Sequence, residues 1–256
     1  MYDGFDFLIT LSFGIIYLRM TAFMMLEKQR KIKEVMRTMG MTNTSYYGSW
    51  ILHEFLIFLV ASLFTAGMVK ATLPRLSFWV MLTLCLLYSL MLISQSLLVQ
   101  VFFTRAKIAI LFATFLLIFQ YALSFVFKNS KQQTELLSTS VAVFPISAVA
   151  LGLFGILQHH SAGGSIDFHS ISELTANVRL STMFISLSIN ITIWFLLFLY
   201  LEQVFPNEWG IKRHPLFLCQ WGKSSKESKP QVDIVITDIA QSRENINYPS
   251  NLPTRA

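Results

Sequence analysis

Apolar residues fall along the chain in long blocks separated by short polar stretches, the pattern of helices that cross a bilayer. Spanning about 30 Å of hydrocarbon takes roughly 20 mostly apolar residues. Five stretches reach that length: residues 5–26, interrupted within only by Arg19; 47–69, with His53 and Glu54 near its start; 78–103; 108–127; and 183–201. The first is no signal peptide, because Asp3 and Asp6 stand where a basic segment belongs. A sixth run, 139–157, carries Pro145 near its start, then Gly152 and Gly155. Proline inside a helix removes a hydrogen bond and kinks it. This run therefore either spans or dips in and returns.

Composition agrees with the pattern. Of 256 residues 54% are hydrophobic and 13% charged, against about 25% charged in a soluble domain. That excludes a soluble globular enzyme and, equally, a disordered chain. Two cysteines, Cys85 and Cys219, exclude a disulfide scaffold or a Cys-rich zinc module.

Charge placement then arbitrates the sixth run, because Lys and Arg accumulate on the cytoplasmic side. With five spans and the 27–46 loop inside, the inner segments hold Lys28, Arg30, Lys31, Lys33, Arg37, Arg105 and Lys107, and the tail adds Lys212, Arg213, Lys223, Lys226, Lys229, Arg243 and Arg255. Only Lys70, Arg75, Lys128, Lys131 and Arg179 fall outside. A sixth span would move the tail outside and reverse the imbalance. Five spans with a re-entrant segment is the better reading: an all-α polytopic bundle whose basic loop and tail are cytoplasmic. The net charge of +6 is thereby a topology signal. The basic residues flank spans and form no aromatic-interleaved patch, so no nucleic-acid partner is expected.

The densest charge cluster, EKQRKIKEVMRTMGMTNT at residues 27–44, has a helical period. Ile32, Val35, Met36 and Met39 recur at i, i+3, i+4 and i+7 as one apolar stripe. Lys28, Lys31 and Arg37 lie elsewhere on the wheel, Glu27 pairs with Lys31 at i, i+4, and Gly40 supplies a C-terminal stop. The segment reads either as an interfacial helix on an anionic leaflet or as a lever that docks on a cytoplasmic partner.

The residues of this cluster resemble a known family. EKQRKIKEVMRTMGM (27–41) is similar to the EKE-rich segment ending in Met-Gly of A-subfamily ABC transporters, the lipid exporters, with Gln29 where that family usually has Glu. YLEQVFPNEWGI (200–211) resembles the segment that closes the last span before the family's nucleotide-binding domain; Glu202, Pro206, Glu208 and Gly210 keep its pattern, while Asn207 replaces a Gly and Trp209 a Tyr or Phe. FPISAVALG (144–152), with Pro145 and Gly152, resembles the family's exofacial re-entrant hairpin. The resemblance covers residues 1–220. It implies that residues 27–40 form a coupling helix, with Glu27, Lys28, Arg30, Lys31, Lys33, Glu34, Met36, Arg37 and Gly40 as its working positions. Membrane lipids, a second transmembrane half and a nucleotide-binding domain binding ATP and Mg are the implied partners. The family's first span, exofacial domain and ATPase domain are not expected within these residues: 1–210 read as a partial transmembrane domain, and 211–256 as a linker with one short strand at 232–236. Gly222, Lys223 and Ser224 end like a P-loop, but Phe217 occupies its first glycine position. No cofactor and no catalytic residue are expected on this chain.

Ionisable and polar residues inside spans are costly and carry functional hypotheses. Arg19 either snorkels to the interface or meets lipid phosphate in a translocation cleft. His53 and Glu54 either sit at the interface or pair with Arg19 or the coupling helix. His159 and His160 adjoin on a loop without partners at ligand spacing, so no metal site is expected. Tyr88, Ser89, Gln95, Ser96 and Gln100, then Gln120 and Ser124, then Thr182, Ser186 and Asn190, form polar stripes that either hold helices together or line a substrate path. Two sequons, at Asn43 and Asn190, lie on the cytoplasmic side and inside a span, and both are expected to stay bare. The resulting expectation is the membrane part of an ATP-driven transporter that moves lipid or another amphipathic substrate across or out of the membrane. Its rivals are a truncated membrane scaffold, or a secondary transporter or channel, which would show an inverted repeat not visible here.

Overall fold

The computed structural model describes residues 4–129, 144–161, 164, 174–175 and 178–204. All lie in the first of two units, Met1–Lys212; the second is Arg213–Ala256. The expectations on Pro206, Glu208, Gly210, the 222–224 triplet and the 232–236 strand fall outside the described residues. Among those described are seven helices: α1 (Phe5–Gln29), α2 (Ile32–Thr38), α3 (Asn43–Thr72), α4 (Phe78–Phe102), α5 (Ala106–Asn129), α6 (Pro145–Ser161) and α7 (Leu180–Val204). Two short strands, β1 (Leu174–Thr175) and β2 (Val178–Arg179), pair antiparallel ahead of α7.

Helices α1, α3, α4, α5 and α7 are long and apolar enough to cross a membrane, and they match the five expected runs to within a few residues at each end. None of them contains a proline: Pro74 sits in the turn after α3, and Pro145 opens α6. The α3 start is capped, with Ser45 N–H donating to Thr42 Oγ1 at 3.2 Å.

Helix α4 is the axis. Of its most apolar 18-residue window 78% is buried, against 17–44% for the other four long helices. Those four wrap it and turn residues such as Ile15, Phe64, Leu111, Phe115, Ile185 and Leu196 outward, as faces that meet lipid must. Cross-links of small polar side chains fix the directions. On α1 and α4, Tyr88 Oη donates to the Thr10 carbonyl at 3.4 Å, and Thr21 Oγ1 meets Ser96 Oγ at 3.0 Å, so these two helices run parallel. Between α3 and α4, Ser62 Oγ and Ser89 Oγ are 3.3 Å apart.

Helix α6 corrects one expectation and sharpens another. Pro145 is its first residue, where the missing N–H costs nothing and its φ suits the helix, so it starts the helix rather than kinking it. Ile146 N–H donates to Gln120 Oε1 at 3.3 Å, well inside α5, whereas Phe154 lies 5.3 Å from the Lys128 ammonium near the end of α5. Helix α6 therefore begins beside the interior of a span and runs toward the Lys128 end, the direction expected of the returning limb of a re-entrant segment; residues 130–143 lie outside the described residues. Gly152 packs in ordinary contact distance of Leu84, Leu180 and Met183. His159 and His160 are half-buried in the last turn of α6 rather than on an exposed loop.

Between helices, backbone and side chain come close at Gly14 on α1, where an added Cβ would come within 2.5 Å of Leu117 Cδ1 on α5. Gly14→Val is expected to destabilise the bundle by about 1–3 kcal/mol, and the cost falls toward zero in a Leu117→Ala background, as expected of two residues sharing one contact. Detergent-titration unfolding of the four proteins checks this; equal cost in both backgrounds removes the contact from the account.

Candidate functional site

Two groups of charged side chains stand out, one at the end of the bundle that carries α2 and one slightly inside it. The chain reaches that end at the α1 C-terminus, returns through α3, and comes back at the ends of α4 and α7.

Residues 27–40 do not form the single helix expected. Glu27 and Lys28 belong to α1, the helix stops at Gln29, and Lys31 adopts a left-handed conformation with φ 56° before α2 begins. The reason is geometric. Glu27 Oε2 accepts from Tyr46 Oη at 2.8 Å and from Trp50 Nε1 at 3.0 Å, both on α3. A straight helix to residue 40 would carry the chain about 20 Å beyond Glu27, with only residues 41–45 left to bring Tyr46 back beside it. The break at Lys31 turns the chain instead. Gly40, with φ 94°, ends α2 in a Schellman arrangement: its N–H donates to the Arg37 carbonyl at 3.0 Å, and Met41 N–H to the Met36 carbonyl at 3.1 Å.

Two lysines and a carboxylate anchor this end. Lys28 Nζ donates to the Gln100 carbonyl at 2.5 Å and the Phe103 carbonyl at 2.9 Å. A cation there meets the otherwise unpaired carbonyls and the negative pole of α4. Lys33 Nζ donates to Tyr47 Oη at 2.7 Å and to Glu202 Oε1 at 3.1 Å, and it stands 4.3 Å over the Tyr47 ring. Helix α2 is thereby tied to the end of α7 and to the start of α3 through one ammonium. One face stays open: no α2 residue is fully buried, and Val35 and the adjoining Met39 are 51% and 79% exposed, next to exposed Arg30 and Arg37. Ile32, Glu34 and Met36 are half-buried.

One turn further in lies the second group. Arg19 Nη2 donates to both oxygens of Glu54, at 2.8 and 3.0 Å. Glu54 is fully buried, whereas the Arg19 side chain keeps 40% of its exposure. His53 Nε2 lies 3.9 Å from Glu54 and is mostly exposed. The structure thus brings together Arg19, His53 and Glu54. Gln95 and Gln100 are buried on α4; both polar atoms of the Gln95 carboxamide, and Gln100 Nε2, meet no hydrogen-bond partner among the described residues. Gln120 caps the start of α6, and Asn190 bonds within its own helix to Ser186.

At the opposite end, Lys128 pairs with Asp6, which also accepts from Tyr121 Oη at 3.3 Å. The sequence reading used Asp6 only to exclude a signal peptide. Its signal, an ionisable residue at the edge of an apolar run, was there to be read. Tyr46, Tyr47 and Trp50 were likewise missed as partners, although aromatic residues clustered at a span end are the usual interfacial belt. On the flank, α3, α4 and α7 enclose an apolar groove of about 270 Å³ lined by Ile51, Leu90, Ile93, Leu97, Phe195 and Leu196, with Ser94 and Thr192 as its hydroxyls.

The profile of the ABC-2 family transporter proteins matches residues 4–201, nearly all of the described bundle. The human "Cholesterol transporter ABCA5" is 31% identical over 215 residues, 78% of this chain and 12% of that protein. "ABC transporter A family member 7" of Dictyostelium discoideum is 27% identical over 202 residues, 76% of this chain and 23% of its own length. The human "Phospholipid-transporting ATPase ABCA3" is 27% identical over 250 residues, 88% of this chain and 14% of that protein. The chain spans less than a quarter of each of these relatives. With four apolar helices around a fifth, α4, a turned basic segment at one end and a match along almost the entire bundle, the chain belongs to the ABC-2 family of transporter proteins.

Proposed function

We propose that the chain is part of the transmembrane half of an ATP-driven exporter that moves lipid or another amphipathic substrate, with α2 as the element that meets a nucleotide-binding domain. In this reading the α2 end is cytoplasmic, in keeping with the excess of Lys and Arg on that side, and ATP and Mg bind on the partner domain. The lipid substrate is supported by the printed names of two relatives, a cholesterol transporter and a phospholipid-transporting ATPase. A second transmembrane half would complete the translocation path. The re-entrant segment, with α6 as its described limb, closes the outer side.

One observation carries the reading. Helix α2 and its flanking residues present Arg30, Val35, Arg37 and Met39 outward while Lys33 ties the helix to α7 and α3. An interfacial helix that merely rested on the membrane would need no ionic tie to the last span. A lever needs one, because force applied to α2 must reach a span. Lys33 and Glu202 are 18% and 21% exposed, sheltered enough for the pair to act as a link rather than as a solvated surface contact.

Two experiments on the full-length transporter test this. Lys33→Glu is expected to lower lipid-stimulated ATP hydrolysis and lipid export about fivefold, the loss of a link worth on the order of 1 kcal/mol. The exchange Lys33→Glu with Glu202→Lys restores at least half of the activity. Full activity in the single variant, or none in the exchanged one, removes the link from the mechanism. Met36→Pro, which places a helix-breaking ring inside α2, is expected to leave basal ATP hydrolysis in place and reduce export to background. Unchanged export and stimulation by lipid would refute α2 as the lever.

A further inference from the structure

Helix α4 ends without a cap of its own. Its last turn carries no basic residue, and its C-cap, Phe103, is extended. Thr104 stands where a glycine would close the turn. The closure comes from another helix instead: Lys28 Nζ, on α1, donates to the Gln100 carbonyl at 2.5 Å and to the Phe103 carbonyl at 2.9 Å. One ammonium thus serves two of the carbonyls that a helix end leaves open. Because Phe103 also leads into α5, with its ring 5.0 Å from that of Phe112, Lys28 holds the α4–α5 corner as well as the end of α4.

The backbone that carries this ammonium is joined to α2 by a stiff turn. Lys31 N–H donates to the Lys28 carbonyl at 3.1 Å. The Lys31 carbonyl in turn accepts from Glu34 N–H at 3.1 Å and Val35 N–H at 3.2 Å, the first turn of α2. From α2 to α4 the contacts therefore run without a slack link: α2 to Lys31, Lys31 to Lys28, Lys28 to the two carbonyls. Deeper in the bundle the same two helices meet again, through Thr21 and Ser96. A cap meant only to stabilise α4 needs no second helix, since a glycine after its end supplies one locally. Taking the cap from α1 makes closure of α4 depend on where the end of α1 stands.

We infer that Lys28 is a positioning residue for the coupling assigned to α2: by capping α4 in trans, it delivers a displacement of α2 to the central helix of the bundle. The inference rests on the reading of α2 as a lever, and it adds a destination. Lys33 leads from α2 to α7 and α3, whereas Lys28 leads to α4 and the corner before α5. Separating the end of α1 from α4 breaks both hydrogen bonds of the ammonium at once, so the two helix ends move together.

The test separates capping from transmission in the full-length transporter in nanodiscs, with thermal unfolding, ATP hydrolysis and lipid export measured on each variant. Lys28→Met is expected to lower the Tm and to cut lipid exported per ATP hydrolysed about tenfold, the effect of losing a charge-assisted link. Adding Thr104→Gly gives α4 a local cap; this double variant regains the wild-type Tm while export per ATP stays about tenfold down. Export that returns together with the Tm overturns the inference, because Lys28 is then a cap and nothing more. Wild-type export per ATP in Lys28→Met overturns it too, and should that variant not fold, the double variant carries the test. Lys28→Arg keeps a cation on both carbonyls and is expected to export within about twofold of wild type; a loss as deep as that of Lys28→Met also overturns the inference. Met36→Pro, measured alongside, distinguishes the two ideas. Normal export there defeats the reading of α2 as a lever and this inference with it. Export lost in Met36→Pro but normal in the Lys28 variants defeats this inference alone.

Discussion

The bundle depends on α4 being buried in a place where burial itself supplies no driving force. In hydrocarbon a leucine gains nothing by leaving lipid for protein, so a central helix must be held by close packing and by polar contacts. Helix α4 has both. Ser89 and Ser96 are small enough to let α3 and α1 approach, and they meet Ser62 and Thr21 there. Lys28 then closes the C-terminal end of α4 by donating to the Gln100 and Phe103 carbonyls. A polar stripe that sequence analysis left between packing and substrate passage is, for Ser89 and Ser96, a packing device.

From that axis the two ends of the bundle acquire different characters. At the end carrying Lys128, the contacts close inward: the ammonium pairs with a buried Asp6, stands near the Phe154 ring and takes the start of the chain to the end of α5. At the other end they lead outward. Glu27 holds α3 and Lys28 holds α4, which finishes the bundle at α1, and the chain then turns at Lys31 into a helix with an exposed apolar and basic surface. The first end closes on itself, and the second leaves a face open. That asymmetry is what gives the proposed direction of coupling its structural basis.

The five spans were legible because length and hydropathy are properties of a single segment, and a helix in lipid must satisfy its backbone internally whatever its neighbours do. What escaped prediction was relational. The period of Ile32, Val35, Met36 and Met39 identified helical structure, yet nothing in it says where the helix begins. The break at Lys31 follows from Tyr46 and Trp50 having to reach Glu27, a constraint between segments. Pro145 was read as a kink because its position relative to the helix start cannot be seen in a run of apolar residues. Gly40 was legible, since a left-handed stop is a local demand that glycine meets.

The same distinction explains why Arg19 and Glu54 matter more than their separate positions suggest. Each is an expensive residue in a span. As a pair they are neither a surface salt bridge of small worth nor a fully buried one, because one partner is enclosed and the other half-open. Full enclosure would have spent the guanidinium on structure, and full exposure would have let it rise to the interface. The intermediate arrangement keeps the guanidinium beside Glu54 with one side open. A bundle selected only for stability has little reason to retain it, since replacing a buried ion pair by well-packed apolar residues is often neutral or stabilising.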